Sequence, residues 1–433
     1  MDRITVDFTQ EVGVIKPMHA VGQPPFIGID FSMCDYLKNA HIPYSRLHDV
    51  GGAYGRNMFV DIPNIFRDFS ADAKDPESYD FAFTDLLISA LVERGIEPFF
   101  RLGVTIENYC KIKAYRIHPP KDYNKWAEIC EGIIRHYTEG WANGFHYKIT
   151  YWEIWNEPDN FEDPAENQMW TGSPDDYYHL YEVASKYLKE KFPHLKIGGY
   201  ASCGFYALTN SQSQFGACSP RYQHFIDFFD GFMEYIKANN CPLDFFSWHS
   251  YSSIEDNIIW SEYVRKKLDQ YGYTQTEHTL NEWNCCPNLK GTAKHASLTC
   301  GMMLALQNTT LDSAMFYDAR CGIGIYSSMF NCMNFEPLPS YYSFVAFGEL
   351  YQRGKQVYVG ELPKGVYACA AKEKDACLVI ANVNQEAVYV DINWRGINRI
   401  TECKIIKDGS VWESCEFENQ LPGESVIIIK FDL

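Results

Sequence analysis

The order of apolar segments is the feature of this sequence that most constrains its fold. Up to about residue 350, short apolar runs alternate with longer segments in which apolar residues recur at helical spacing. Eight of the short runs have the composition of β-strands, and they lie near 18–22 and at 43–48, 97–103, 149–155, 195–200, 243–250, 278–283 and 312–318. Eight strands that alternate with helices predict an α/β fold of the TIM (β/α)8 barrel type.

The clearest helix lies between the third and fourth strands, at 123–139. Its apolar residues recur at intervals of three and four, Asp122 stands before it as a cap, and Gly140 follows it as a stop. The same pattern predicts further helices near 79–94, 175–191, 221–239, 258–271, 292–308 and 339–353.

The pattern changes after about residue 354. Short β-type runs such as "ACLVIANV" and "ESVIIIKFDL" follow one another, and Asp408-Gly409 is typical of a hairpin turn. We therefore expect a TIM-barrel catalytic domain at 15–353 and a small C-terminal antiparallel β-sandwich domain at 354–433. The N-terminal strand, at 1–14, is expected to join the second domain.

The charge of the chain excludes several classes of partner. The formal net charge is −18, and Lys and Arg form no run longer than three residues, so neither nucleic acid nor an anionic membrane is an expected partner. The first residues lack the apolar segment of a signal peptide, and no stretch of about 18 apolar residues occurs. These features predict a soluble, cytoplasmic protein.

The cysteines do not indicate a disulfide scaffold or a metal site. Their number, 15, is odd, and their spacing is irregular. Cys285, Cys286 and Cys300 lie near one another in the sequence, but no Cys-x-x-Cys pair with a matching His pair accompanies them. We expect reduced thiols, no metal and no cofactor.

Polar residues stand where the predicted strands end. Sites in TIM barrels form at the carboxyl ends of the strands, so we expect these side chains to converge. They are Arg46, His48 and Asp49 at the second strand; Asn156 and Glu157 at the fourth; His249 and Tyr251 at the sixth; Asn281 and Glu282 at the seventh; and Asp318 at the eighth.

Two convergent carboxyls, Glu157 and Glu282, match the pair that glycoside hydrolysis requires, one as a protonated acid and the other as a nucleophile or base. The separation of the two carboxyls decides between retention and inversion, and the residues alone leave that choice open.

Several motifs carry a resemblance to a known family. The segments "SRLHD", "HPPKDYNKW", "WEIWNEPD", "FFSWHSY" and "TLNEWN" resemble the retaining glycosidases of clan A, and most closely glycoside hydrolase family 39, which includes β-xylosidases and α-L-iduronidases. The resemblance extends from about Val21 to Tyr351.

The resemblance implies a role for each site residue. Glu157 would be the catalytic acid/base and Glu282 the nucleophile. Asn156 would bind the sugar 2-hydroxyl, and Tyr251 would donate a hydrogen bond to Glu282. The other expected substrate-binding residues are Arg46, His48, His249 and Asp318.

Physical reasoning favours the same division of roles between the glutamates. A carboxylate beside Arg46 that accepts a hydrogen bond from Tyr251 stays ionised. An acid in an aromatic pocket beside Trp155 keeps its proton near neutral pH. We therefore expect a raised pKa for Glu157 and a low pKa for Glu282.

Structural explanations compete with these roles. Arg46, His48 and Asp49 could form a structural ion-pair cluster, and His249 could simply satisfy a hydrogen bond in the core. Asp318 could cap the following helix. Trp155 could either stack on a sugar or fill the core.

One departure from the family pattern concerns the sugar. Acidic residues directly follow the Asp of the last strand in the family's xylosidases, whereas Ala319 and Arg320 follow Asp318 here. Arg320 could pair with the carboxylate of a uronic acid or could be an exposed loop charge.

The sequence therefore predicts a retaining exo-glycosidase, β-xylosidase-like, whose partner is an oligosaccharide or glycoside. An α-L-arabinosidase or a uronic-acid-specific glycosidase is the alternative within the enzyme class. A sugar-binding protein on an inactive barrel is the alternative outside it. The oligomeric state stays open, and a homo-oligomer is compatible with the sequence.

Overall fold

The computed structural model describes residues 3–25, 32–50, 60–107, 116–209 and 220–433. In this part of the chain, no helix is both long and apolar enough to cross a membrane.

A closed barrel follows the first strand of the chain, β1 (Arg3–Val14). The barrel strands are β2 (Ala20–Gly22), β3 (Tyr44–Leu47), β4 (Glu97–Leu102), β5 (Tyr151–Ile154), β6 (Lys196–Ser202), β7 (Phe245–Ser250), β8 (Glu277–Trp283) and β9 (Ser313–Phe316). Neighbouring strands are parallel, and β2 pairs with β9 to close the ring. The predicted TIM barrel is thus confirmed, with all eight strands at the expected positions.

Helices connect the strands and cover the outside of the barrel. They are α1 (Cys34–Asn39), α2 (Ile62–Ile65), α3 (Ala82–Val92), α4 (Tyr123–Glu139), α5 (Pro174–Lys191), α6 (Pro220–Ala238), α7 (Ile254–Tyr271), α8 (Ala293–Leu306) and α9 (Pro339–Arg353). The limits of α4 follow from its caps. The Asp122 carboxylate accepts hydrogen bonds from the N–H groups of Asn124 and Lys125, and Gly140 ends the helix in the left-handed region, with φ 75°.

Side chains alternate between the inside and the outside of each strand, and this alternation divides the barrel interior into layers. An apolar layer of Ala20, Phe99, Phe245 and Met315 fills the end where the strands begin. Two residues further along the strands, the interior becomes polar, because Arg101 follows Phe99 and Ser247 follows Phe245 on the same face. The polar layer therefore rests on a closed apolar base.

A second sheet lies beyond the barrel. The remaining strands of the described chain are β10 (Lys355–Val359), β11 (Val366–Lys372), β12 (Ala376–Asn382), β13 (Val388–Tyr389), β14 (Asp391–Arg395), β15 (Arg399–Lys407), β16 (Ser410–Ser414), β17 (Gln420–Leu421) and β18 (Ser425–Asp432). Eight strands form one sheet in the order β14-β1-β10-β11-β12-β18-β15-β16, and β13 pairs with β17. All neighbours are antiparallel except β1 and β14. Strand β1 lies in this sheet, as expected for the N-terminal strand. The domain boundaries given above stay a prediction.

The second sheet is fastened to α8 and α9 of the barrel. Lys430 pairs with Glu349 at 2.9 Å, and Arg353 pairs with Asp375 at 2.7 Å. Much of the interface is apolar, since buried residues of β11, β12 and β18 belong to the same hydrophobic cluster as the barrel helices.

We predict that Gly198→Ala destabilises the barrel. A Cβ at Gly198 of β6 would lie 2.1 Å from the carbonyl oxygen of Phe245 in β7, so the two strands would have to separate. The expected loss in free energy of unfolding is about 3 kcal/mol or more, measured by denaturant titration. In the control Gly13→Ala, the nearest atom is 3.7 Å from the new Cβ, and the change should stay within about 1 kcal/mol. Equal stability of the two variants would contradict the prediction.

Candidate active site

The carboxyl ends of the barrel strands surround a cavity of about 300 Å³. This volume lies at the lower end of the range for small-molecule sites, about 300–1,000 Å³. Five of the eight predicted site residues line the cavity: His48, Asn156, Glu157, Tyr251 and Glu282. Aromatic side chains form much of the remaining wall, namely Phe161, Tyr206, Tyr222, Phe225, Tyr317 and Tyr326.

The two predicted catalytic glutamates lie on either side of His249. Nδ1 of His249 is 2.8 Å from Oε1 of Glu157 and 3.7 Å from Oε2 of Glu282. One oxygen of each carboxyl and this nitrogen all lie within 4.8 Å of one another. His249 is fully buried, and it contacts both glutamates without lining the cavity.

A sharp turn after β5 positions Glu157. Trp155 and Glu157 both have positive φ values, 72° and 45°, so the chain changes direction where the strand ends. The Glu157 N–H donates to the carbonyl of Ala201 at 3.1 Å, which attaches the turn to β6. The Asn160 amide donates to Oε2 of Glu157 at 2.9 Å. The Glu157 carboxyl is thus held by Asn160 at one oxygen and by His249 at the other.

Trp155 fills the core and does not line the cavity. Its indole N–H donates to the carbonyl of Met169 at 2.8 Å, and its ring meets that of Trp170 edge-on at 5.1 Å. The question that the sequence left open is therefore decided in favour of core packing.

Glu282 is held by two donors. The Tyr251 hydroxyl donates to Oε1 of Glu282 at 2.5 Å, and Nη1 of Arg46 donates to Oε2 at 3.2 Å. Nη2 of Arg46 also donates to the side-chain oxygen of Asn156 at 2.6 Å. This bond fixes the Asn156 amide so that its NH2 group, rather than its oxygen, is left for the cavity.

A further carboxylate, Glu153, orients Arg46, and the sequence reasoning missed it. Oε2 of Glu153 accepts from Nε of Arg46 at 2.8 Å, and Oε1 accepts from Ser247 at 2.6 Å and from Asn281 at 2.5 Å. Glu153 is fully buried within β5. The available signal was a charged residue in the middle of the apolar strand "YWEIW".

His48 and Asp49 form the wall next to β3. Nδ1 of His48 accepts from Arg101 at 3.1 Å, and burial together with the charge of Arg101 holds the pKa of His48 well below its usual value. Asp49 accepts from the Tyr317 hydroxyl at 3.1 Å. Burial and the nearby charge of Glu282 raise the pKa of Asp49 to about 7. His48 is therefore a neutral side chain at the cavity wall.

The pKa directions of the glutamates differ from the expectation. Burial would raise the pKa of Glu157, but the hydrogen bond and charge of His249, with the charge of Arg221 and the hydrogen bond of Asn160, outweigh burial and lower it. Burial and the charge of Glu157 raise the pKa of Glu282, and His249, Arg46 and Tyr251 only partly offset them. The expectation for Glu157 was wrong because it assumed an aromatic pocket beside Trp155, whereas its actual neighbours are His249 and Asn160.

Arg46, His249 and Asp318 are the predicted site residues that do not line the cavity. Arg46 and His249 contact the glutamates, whereas Asp318 binds Arg320. Oδ2 of Asp318 accepts from Nε and Nη2 of Arg320 at 3.2 and 2.9 Å, and its Oδ1 accepts from the Arg320 N–H and from Ser327, both at 3.0 Å. Arg320 is thus neither an exposed loop charge nor a free guanidinium. Substrate binding by Asp318 stays a prediction.

A metal ion would find three ligand-type side chains in Glu157, His249 and Glu282. The hydrogen bond to Glu157, however, already occupies the His249 nitrogen that faces both carboxyls. Cofactor-free action stays a prediction. The described cysteines, Cys285, Cys286 and Cys300 among them, are free thiols.

Comparison with known proteins shows to which protein family this sequence is similar. The sequence model described as glycosyl hydrolases family 39 matches residues 35–281. A β-xylosidase of Geobacillus stearothermophilus is 27% identical over 246 residues, which cover 54% of this chain and 43% of that protein. A β-xylosidase of Caldicellulosiruptor saccharolyticus is 26% identical over 232 residues, 49% of this chain and 42% of that protein. The matching segment spans less than half of each relative.

The fold is shared over a longer stretch. The crystal structure of a glucosidase from Croceicoccus marinus has a TM-score of 0.80 to this chain at 20% identity, over 100% of this chain and 99% of that one. The family match begins in α1, contains Glu157 and ends directly before Glu282. Since it covers more than half of the sequence, the chain belongs to glycosyl hydrolase family 39.

Proposed function

We propose that this chain is a retaining exo-glycosidase that hydrolyses β-xylosides by double displacement. One observation carries the proposal: oxygens of the Glu157 and Glu282 carboxyls lie within 4.8 Å of each other at the cavity. Retaining glycosidases separate these groups by about 5–5.5 Å, whereas inverting enzymes need about 6.5–9.5 Å to admit a water molecule. The short separation supports direct attack on the sugar.

In the first step, Glu282 attacks the anomeric carbon while Glu157 protonates the glycosidic oxygen, so that a covalent glycosyl-enzyme forms and the leaving group departs. In the second step, Glu157 takes a proton from water, and the resulting hydroxide displaces Glu282 from the sugar. Arg46 and Tyr251 hold the Glu282 carboxylate during both steps.

His249 supplies the proton that Glu157 needs. Burial alone would lower the pKa of His249, but the charges of Glu282 and Glu157 outweigh burial and raise it. His249 and Glu157 share a proton along their 2.8 Å hydrogen bond, and transfer of this proton to Glu157 when the substrate enters provides the catalytic acid. This transfer reconciles the low pKa of Glu157 in the empty site with its role as an acid.

The choice of sugar rests on the likeness to the two β-xylosidases and on the size of the cavity, which suits a terminal residue. The pairing of Arg320 with Asp318 disfavours Arg320 as the ligand of a uronic acid glycone. A sugar-binding protein on an inactive barrel is disfavoured because both glutamates and their hydrogen-bond partners are in place.

A panel of aryl glycosides tests the proposal. We expect the β-xyloside to be hydrolysed with the highest kcat/KM, ahead of α-L-arabinoside, β-glucoside and β-glucuronide. Proton NMR during the reaction should detect β-xylose first, because two inversions restore the configuration. Preference for another glycone would overturn the xylosidase assignment, and α-xylose as the first product would overturn retention.

Substitution of each glutamate separates their roles. Glu157→Ala should lower kcat/KM for glycosides with poor leaving groups by about 10²–10⁴-fold, and sodium azide should restore turnover with β-glycosyl azide as product. Glu282→Ala should abolish hydrolysis, and azide should yield the α-azide. The control Glu166→Ala, an exposed residue of the same loop as Glu157, should retain activity. Unchanged hydrolysis by Glu157→Ala would exclude it as the acid/base.

Tyr251→Phe should move the acidic limb of the kcat/KM profile to higher pH. The Tyr251 hydrogen bond is among the contacts that oppose burial and lower the pKa of Glu282, so its loss raises that pKa. The nucleophile then becomes ionised only at higher pH. The control Tyr358→Phe, at an exposed position of β10, should leave the limb in place. An unshifted limb in Tyr251→Phe would show that this bond does not control the ionisation of Glu282.

A further inference from the structure

Four of the described arginines lie in or next to the cavity, and they differ in their partners. Arg46 is paired with Glu153 and Glu282, Arg101 with Asp61, and Arg320 with Asp318. Arg221, near the start of α6, forms no ion pair with any carboxylate that the structure describes. It is also the only Lys or Arg among the described lining residues. The charge of Arg221 helps to lower the pKa of Glu157, but no described carboxylate binds the guanidinium directly.

The Arg221 guanidinium is held in position without a carboxylate. Its Nε–H donates to the carbonyl of Asn160 at 2.6 Å, and the group lies 4.1 Å from the ring centre of Phe161 and 5.2 Å from that of Phe225. These contacts use Nε–H and the faces of the guanidinium. Among the residues that the structure describes, none accepts a hydrogen bond from Nη1 or Nη2, and these groups have the fork geometry that binds a carboxylate in two parallel hydrogen bonds.

Arg221 lies on the Glu157 side of the site. Asn160 connects the two residues, because its carbonyl accepts from Arg221 and its amide donates to Glu157. Glu282 has different supports, Tyr251 and Arg46. The acid/base of a glycosidase contacts the glycosidic oxygen, which belongs to the leaving group after cleavage. A side chain next to Glu157 therefore faces the leaving group rather than the sugar that becomes bound to Glu282.

We propose that Arg221 binds a carboxylate on the leaving group, so that the enzyme prefers glycosides whose leaving sugar is a uronic acid. This inference rests on the proposed function, since it uses the acid/base role of Glu157. Arg221 is then a specificity-determining residue.

Two matched substrates test the preference. The glycosides of 3- or 4-hydroxyphenylacetic acid carry a carboxylate, and those of the methyl esters do not. The methylene group insulates the phenol from the carboxyl, so both leaving groups have nearly the same leaving ability. The glycone is the one that the aryl glycoside panel shows to be hydrolysed best. We expect a kcat/KM ratio of acid to ester well above one, and this ratio should fall with added salt.

Arg221→Gln should reduce this ratio about tenfold or more, as expected for the loss of a charge-assisted hydrogen bond. Any effect of the substitution on Glu157 itself acts on both substrates and cancels in the ratio. Arg221→Lys keeps the positive charge but loses the paired N–H donors, so its acid-to-ester ratio should lie between those of Arg221→Gln and the parent enzyme. The control Arg399→Gln removes an exposed arginine of the C-terminal sheet and should leave the ratio unchanged. A ratio near one in the parent enzyme, or one unaffected by Arg221→Gln, overturns the inference.

Calorimetric titration separates failure of this inference from failure of the proposed function. Glucuronate should bind more tightly than glucuronamide to the parent enzyme, and Arg221→Gln should remove the difference, whether or not any glycoside of the panel is hydrolysed. Equal binding of the two compounds to the parent enzyme overturns the carboxylate site even if β-xylosides are hydrolysed.

Discussion

The buried ion pair between Arg46 and Glu153 is the interaction on which the site depends. An ion pair inside a barrel is costly to desolvate and persists only when further hydrogen bonds satisfy its atoms. Glu153 meets this condition, because Ser247 and Asn281 donate to the oxygen that faces away from Arg46. Residues of β3, β5, β7 and β8 therefore meet at one carboxylate. Glu153 fixes Arg46, and Arg46 in turn holds both Glu282 and Asn156.

The two glutamates of the site differ in what surrounds them, although they share His249. Glu282 lies deeper and is held by the fixed arginine and by a tyrosine whose own pKa is raised by burial and by the charge of Glu282. That tyrosine consequently stays protonated and remains a donor. Glu157 sits on a turn beside Asn160, closer to the solvent and to Arg221. Glu282 is thus held by an arginine and a tyrosine, whereas Glu157 is hydrogen-bonded to a buried imidazole.

The strands and helices could be predicted because each has a clear period and clear ends. The helix at 123–139 shows this best, since Asp122 and Gly140 indicate its two ends in the sequence and cap it in the structure. Most of the polar residues around the cavity could also be predicted, because the carboxyl ends of the strands of a TIM barrel meet at one face.

Contacts across strands could not be predicted from the sequence. Glu153 resembles any polar residue of a strand until Arg46 is seen opposite it. The pKa directions of the glutamates depend on His249, which is far from Glu157 in sequence and bonded to it in space. The sequence suggested separate roles for Asp318 and Arg320, yet their side chains bind each other, with only Ala319 between them in the chain.

The position of β1 has a consequence for synthesis of the chain. This strand, near the start of the described chain, lies between β10 and β14, which are made only after the whole barrel. The ribosome therefore releases β1 long before either of its neighbours exists. During that interval both edges of the strand lack their final partners, and such edges invite pairing with other chains. Folding of the barrel during synthesis does not supply these partners, so completion of the second sheet must wait for the last part of the chain to emerge.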